Sequence, residues 1–291
     1  MKLTFIGLGM MGQPMARRLI DHGFDLRVSD VNAALAAEFG AAWGGSPREA
    51  ATGADVVITM LPTGQIVRDV LLGQGDVAAA LKPGTIVIDC SSSEAGGTVQ
   101  LGMDLKQRGV TLVDAPVSGG VPLAREGKLT LMVGGTDQAL LARLMPILEC
   151  LGARVVPVGE LGAGHAAKAI NMAIAACTLA ATCEGLSLGE RFGLDPAILL
   201  DVINSSTGRS AVGETVVRNH VLPKTYAQGF ALALMAKDVG LADRMRDGMG
   251  LNLPLLQATM HQWSEALASL GTAADFSEYD KFVRQNLERE A

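Results

Sequence analysis

Short apolar, β-branched runs recur through the first half of the chain, each separated from the next by a stretch of helical spacing. Residues 2–6, 25–29, 55–61, 85–89, 111–115, 129–133 and 154–158 have the length and residue types of strands. Residues 14–22, 66–72, 97–108 and 139–151 lie between them and read as helices. Such alternation predicts a mostly parallel sheet covered by helices on both faces. Ligands of such sheets sit beyond the carboxyl ends of the strands. The loops at residues 7–12, 62–63, 90–93 and 116–120 therefore carry the interest.

The pattern changes near Gly159, after which no run has strand character. Residues 162–191 form one long stretch of small and apolar side chains, apolar on nearly all sides, and this predicts a helix buried between other helices. Further helices are expected from Asp195-Pro196 to Ile203, over 236–248, over 254–270 and over 276–290, with a polar break at 204–208. The expected fold is thus α/β: a domain over residues 1–160, then an all-helical domain over 161–291, with the long helix between them.

The first strand runs directly into Gly7-Leu8-Gly9-Met10-Met11-Gly12, a helix follows, and the second strand ends at Asp30. Strand, G-x-G-x-x-G, helix, strand and acid, in that order, are the fingerprint of a dinucleotide-binding βαβ unit of the Rossmann type. Gly7 permits the tight turn, Gly9 lets the backbone approach a pyrophosphate, and Gly12 lets the helix pack on the strand. Asp30 is placed to accept hydrogen bonds from ribose hydroxyls and to repel a 2′-phosphate. Val31 and Asn32 supply no compensating cation, so NAD is expected over NADP.

Composition narrows the remaining classes. Half-hydrophobic composition over 291 residues permits two well-packed domains. A net charge of −6, no basic run and few aromatics argue against a nucleic-acid partner. Cys90, Cys150, Cys177 and Cys183 have no metal-ligand spacing and read as small buried hydrophobes of a reducing compartment. The chain start lacks the pattern of a signal peptide. The longest apolar stretch, residues 169–183, contains Asn171 and is flanked by Lys168 and Glu184, so no bilayer span is expected and the protein is read as cytoplasmic. His22, His220 and His261 read as surface positions, and neither H-E-x-x-H nor G-x-S-x-G occurs.

Three segments carry candidate chemistry. Lys168 lies in the first turns of the long apolar helix, where an ammonium group must be solvated or paired. Asn171 is one helical turn further on the same face, and His165, one turn before, is a candidate for lining the same site. In Asp114-Ala115-Pro116-Val117-Ser118-Gly119-Gly120 a strand enters a turn whose backbone N–H groups and Ser118 hydroxyl are suited to a carboxylate. Phe230 and Lys237-Asp238 form the third segment.

Taken together these segments resemble the β-hydroxyacid dehydrogenase family, which includes 3-hydroxyisobutyrate dehydrogenase and tartronate semialdehyde reductase. The resemblance spans essentially the whole chain, with four motifs in order: residues 5–12, 114–120, 162–171, and Phe230 through Lys237-Asp238. It implies hydride transfer between NAD and a small anionic 3-hydroxyacid, 3-hydroxyisobutyrate first, with Lys168 and Asn171 catalytic. It implies substrate binding by Ser118, Gly119, Gly120 and Ser92. Cofactor binding falls to Gly7, Leu8, Gly9, Met10, Met11, Gly12, Asp30, Leu61, Pro62, Ser92, Phe230 and Lys237, with no metal. It also implies a homodimer or homotetramer packed through the long helix. Met172 follows Asn171 where some members have a second asparagine, and Ser92 stands where threonine is frequent. Both departures leave the substrate open, whereas Lys168 argues against the related imine reductases. A reductase of 2-hydroxy-3-oxopropionate is the alternative, with Arg209 as a group that could meet an extra acid. A non-catalytic dinucleotide-binding module is the remaining one.

Overall fold

A period of two along the strands sorts the first core into two layers. The computed structural model describes residues 1–289. In β1 (Lys2–Ile6), Leu3 and Phe5 face one side of the sheet and Ile6 the other. Next come α1 (Gly12–Asp21), β2 (Asp25–Ser29), the short helices α2 (Ala36–Phe39) and α3 (Pro47–Ala51), and β3 (Val56–Thr59). Then follow α4 (Gly64–Leu72), β4 (Ile86–Asp89), α5 (Ala95–Lys106), β5 (Thr111–Asp114) and the two-residue β6 (Val117–Ser118). The sheet region closes with α6 (Gly120–Glu126), β7 (Thr130–Gly134), α7 (Gln138–Leu151) and β8 (Arg154–Gly159).

Strands β2, β1, β3, β4 and β5 lie side by side in that order and are parallel. The chain leaves β1 toward β2 and returns to β3 on β1's other side, so the loop after β1 opens at the topological switch point. On one face Phe5, Ile58, Ile88 and Val113 pack with Met15 and Leu19 of α1 and Ile147 of α7. On the other, Ile6, Val57, Val87 and Leu112 pack with Val67 and Leu71 of α4 and Leu101 and Leu105 of α5. Each such side chain contributes about 1.5–3 kcal/mol by burial. One part of the sheet departs from the parallel expectation: β7 is antiparallel to both β5 and β6, and β8 runs parallel to β7. Residues 117–118, expected as turn, form β6, which is too short to leave a periodic signal.

The chain divides into two compact units, Met1–Lys168 and Ala169 onward. The division falls within α8 (Ala163–Phe192), the long helix. Beyond it come α9 (Pro196–Asn204), a π-helical segment Gly213–Val221, α10 (Leu232–Gly248), α11 (Pro254–Leu270), a 3₁₀ turn Phe276–Glu278 and α12 (Tyr279–Arg289). Helix α10 starts four residues before the expected 236, and the π-helical segment was not foreseen. The helix expected over 276–290 is a turn followed by α12, and Glu290 lies outside the described residues. Leu179, Cys183 and Leu186 of α8 belong to the second unit's core with Val217, Val239 and Phe276. Trp263 is fully buried, stacks on Tyr279 at 4.6 Å between centroids, and donates Nε1–H to the Ala176 carbonyl at 3.3 Å.

The long helix is not buried on all sides. Ile170, Ile174 and Leu188 are exposed, and Phe192 is 83% exposed. A 30-residue helix that is apolar all round has more surface than one chain covers. Its length and composition also pass those of a bilayer span, which the 169–183 stretch alone did not suggest, although half of the apolar window is buried in the fold.

Candidate active site

The loop after β1 is closed at two glycines and open at the third. Gly7 has φ +100°, and a Cβ there would collide with the Met60 carbonyl oxygen. A Cβ at Gly12 would collide with the Gly7 carbonyl oxygen, so the helix and the turn meet backbone to backbone. At Gly9 a Cβ would meet nothing within 4 Å. Helix α1 has no side-chain cap at Met11 and no acid in its first turn; the Gln13 N–H goes to the Gly9 carbonyl at 3.0 Å and Pro14 has none, so the Gly12 N–H and the helix dipole are what this end offers an anion. These features fit a dinucleotide pyrophosphate: a rigid turn, an open face at Gly9 and a helix N-terminus with no side-chain cap.

Asp30 accepts a hydrogen bond from the Leu8 N–H at 2.6 Å and another from the Asn32 N–H at 2.8 Å. Its half-buried carboxylate thus ties the end of β2 to the glycine loop. Val31 is fully exposed beside it, and Met10 is exposed on the loop. Leu61, at the end of β3, donates its N–H to the Ser91 hydroxyl at 2.9 Å, and Pro62 after it is exposed.

The ends of β4 and β5 carry a second, closed arrangement. Asp89 and Asp114 are register partners on these adjacent strands, and both are buried. Asp89 accepts from the Thr59 hydroxyl at 2.8 Å, the Ser91 N–H at 3.0 Å and the Ser93 hydroxyl at 3.0 Å. Asp114 accepts from the Gly162 N–H at 2.9 Å and the His165 N–H at 2.8 Å, so it caps the start of α8. Gly164 lies against this strand end so closely that a Cβ would collide with the Met132 carbonyl oxygen. The first turn of α8 is therefore fastened to the sheet, and Lys168, half-buried, follows one turn later.

His165 does not line an open site: its side chain is fully buried, with Nδ1 2.8 Å from the Thr98 hydroxyl and Nε2 3.6 Å from an Asp89 oxygen. Asp89, Thr98 and the anchoring role of His165 were missed in the sequence. The available signal was an acid ending each of two consecutive buried strands.

Ser118, Gly119 and Gly120 join β6 to α6, with φ of +135° at Gly119 and +70° at Gly120. Ser118 and Gly120 are half-buried and Gly119 is exposed, and Ser92 is half-buried after β4. In the second unit, Asn171 is exposed, and Lys237 Nζ lies 3.1 Å from an oxygen of the buried Asp238. Phe230 packs edge-on against Phe276 with centroids 5.8 Å apart. Arg209 is engaged locally, donating to Glu214 at 2.6 Å. Among the described residues no group of His, Cys, Asp and Glu side chains is arranged to hold a metal ion.

Residues 2–159 match the model of the NAD binding domain of 6-phosphogluconate dehydrogenase. Residues 162–283 match that of the NAD-binding domain of NADP-dependent 3-hydroxyisobutyrate dehydrogenase. The chain is 37% identical to mitochondrial 3-hydroxyisobutyrate dehydrogenase of Mus musculus, over 97% of this chain and 86% of that one. It is 35% identical to the NAD-dependent L-serine dehydrogenase of Pseudomonas aeruginosa, over 96% and 97% of the two chains. The solved structure of Mycobacterium tuberculosis 3-hydroxyisobutyrate dehydrogenase with L-serine superposes with a TM-score of 0.88 at 34% identity, covering 97% and 99%.

Proposed function

The chain belongs to the 3-hydroxyisobutyrate dehydrogenase family of NAD-dependent β-hydroxyacid dehydrogenases, and on that premise we propose that it oxidises 3-hydroxyisobutyrate with Lys168 as the proton-transfer group. The observation that supports this reading is the fastening of α8: Asp114 caps the turn directly before Lys168, which gives that side chain a fixed origin. The chemistry NAD would supply when bound is that of a hydride acceptor for the carbinol carbon of the substrate.

The remaining work falls to the chain. Lys168 Nζ takes the hydroxyl proton as the carbonyl forms and, in the ammonium form, stabilises the negative charge that develops on that oxygen. The Ser118 hydroxyl and the Gly119 and Gly120 N–H groups hold the substrate carboxylate, with Ser92 as a further contact. Asn171 orients the hydroxyl. Gly7 to Gly12, Asp30, Leu61 and Pro62 hold the dinucleotide.

A second reading has a specific motive. The relatives include an L-serine dehydrogenase, and the superposed structure carries L-serine. L-Serine presents the same carboxylate and primary alcohol with an amine at its second carbon, so the chemistry at Lys168 is unchanged. Initial rates of NADH formation with 3-hydroxyisobutyrate, L-serine, D-glycerate and threonate, repeated with NADP and with Lys168→Ala, separate the readings. The expected outcome is an NAD-linked preference for 3-hydroxyisobutyrate and a kcat about 10³-fold lower in the variant. A preference for L-serine would replace the substrate, and full activity in Lys168→Ala would remove the mechanism.

The enzyme works in the cytoplasm as a homodimer or homotetramer. The apolar face of α8 from Ile170 to Phe192 supports the oligomer, and the free thiols of Cys90, Cys150, Cys177 and Cys183 suit a reducing compartment. Light scattering of the purified chain tests the assembly, and a monomer at micromolar concentration would end that part of the reading.

A further inference from the structure

Three consecutive serines follow β4, and they sit in different surroundings. Ser91 and Ser93 are buried, whereas Ser92 between them is half-buried. The reason lies at the end of the β3–β4 ladder. Thr59 and Asp89 are the last register partners there, and the Cys90 N–H still reaches the Thr59 carbonyl at 2.8 Å. Past that pair the ladder continues through side chains. The Met60 N–H goes to the Ile6 carbonyl of β1 at 2.9 Å. The next N–H, that of Leu61, goes the other way and donates to the Ser91 hydroxyl oxygen at 2.9 Å. Ser91 gives its own N–H to Asp89 Oδ1 at 3.0 Å, and the Thr59 hydroxyl donates to the same oxygen at 2.8 Å. Asp89 Oδ2 accepts from the Ser93 hydroxyl at 3.0 Å. Ser93 also bounds the start of α4, since a Cβ on Gly64 would lie 2.9 Å from its own Cβ. One buried carboxylate thus anchors the backbone of two loops, residues 61–64 and 91–93.

We propose that Ser91 and Ser93, anchored on Asp89, are positioning residues with separate tasks. Ser91 holds Leu61 and Pro62 in place for the dinucleotide, and Ser93 holds Ser92 in place for the substrate carboxylate. Both serines are buried and act through their neighbours. Loops fixed in this way before a ligand arrives lose less conformational entropy when it binds. The inference rests on the roles given above to Leu61, Pro62 and Ser92.

Each serine carries its own prediction. Ser91→Ala removes the acceptor of the Leu61 N–H. The dissociation constant for NAD, measured by fluorescence titration, should rise about tenfold, while KM for the best acid of the panel stays within about twofold. Ser93→Ala keeps the Cβ that meets α4 and loses only the hydroxyl. It should raise that KM about fivefold and leave the NAD constant within about twofold. In both variants kcat at saturation should stay within about threefold, because Lys168 is untouched. A role confined to stability would lower the melting temperature and move neither constant selectively. Unchanged constants, or equal shifts of both constants in both variants, would overturn the proposal. The unaltered, cofactor-free protein offers a check that needs no variant: the Leu61 N–H should exchange with solvent at least about 100-fold more slowly than in an unstructured chain. Unprotected exchange there would also overturn it. If the unaltered chain binds no NAD, the dinucleotide reading fails and the inference fails with it. If it binds NAD and Ser91→Ala binds NAD equally well, only the inference fails.

Discussion

Two kinds of strand-end acid lie along one edge of the same sheet, and they do different work. Asp30 follows β2, remains half-buried, and gives two of its acceptor sites to the N–H groups of Leu8 and Asn32. A carboxylate has about four such sites, so Asp30 keeps acceptor capacity while steadying the glycine loop, and the proposed role would give that capacity to ribose hydroxyls. Asp89 and Asp114 end β4 and β5, are buried, and face inward to hydroxyls, backbone N–H groups and a histidine. The difference comes from what the chain brings back over each strand end. Exposed Val31 and Asn32 follow β2, whereas the first turn of α8 covers β5. An acid after a buried strand keeps acceptor sites open where the edge is open and becomes a structural cap where a helix returns to it.

The comparison predicts a graded series of effects. Asp114→Ala should cost most, roughly 4 kcal/mol, because it leaves the Gly162 and His165 N–H groups buried without an acceptor. Calorimetry should record a large fall in melting temperature, and a melt like that of the unaltered protein would break the distinction between the two acids. Gly12→Ala comes next. Its methyl must displace the Gly7 carbonyl, so NAD affinity should weaken about 100-fold, with a smaller loss of stability.

Asp30→Ala should act on affinity and hardly on the fold. A roughly tenfold rise in KM for NAD and a narrowed preference over NADP are expected, with a stability change below about 1 kcal/mol. A melt as damaged as that of Asp114→Ala would place Asp30 among the caps instead. The smallest effect is a sharpening one. With its thiol pushed up by burial, Cys90 should resist alkylation at pH 8 in the folded enzyme. It should become reactive in Asp114→Ala, as read by peptide mass spectrometry.

Legibility in the sequence followed how local each device is. The glycine loop was readable because Gly7, Gly9, Gly12 and Asp30 recur at a fixed spacing within a single βαβ unit of about 30 residues. The parallel strands were readable because burial on both faces yields unbroken β-branched runs. The cap on α8 was not, since Asp114 and its donors stand 48 and 51 residues apart and nothing at either end marks the pairing. For the same reason His165 read as a lining residue: one turn from a candidate lysine, its burial depends on Thr98 and Asp89 from two other elements. β6 escaped because two residues carry no period. The π-helical segment escaped because Val216, Val217 and Val221 keep an apolar face that fits an α-helix equally well. The apolar character of α8 was legible, but its all-round composition could not say which face the chain itself covers.

The cap at Asp114 also imposes an order in time. A ribosome adds about 5–20 residues per second, so roughly 2–10 s pass between Asp114 and its two donors at the start of α8. During that interval the nascent sheet holds a carboxylate whose native partners do not yet exist. A strand end that is complete only when residue 165 arrives delays the closing of the sheet's edge until the first turn of the helix bearing Lys168 has been made. The sheet unit thus matures together with the start of α8.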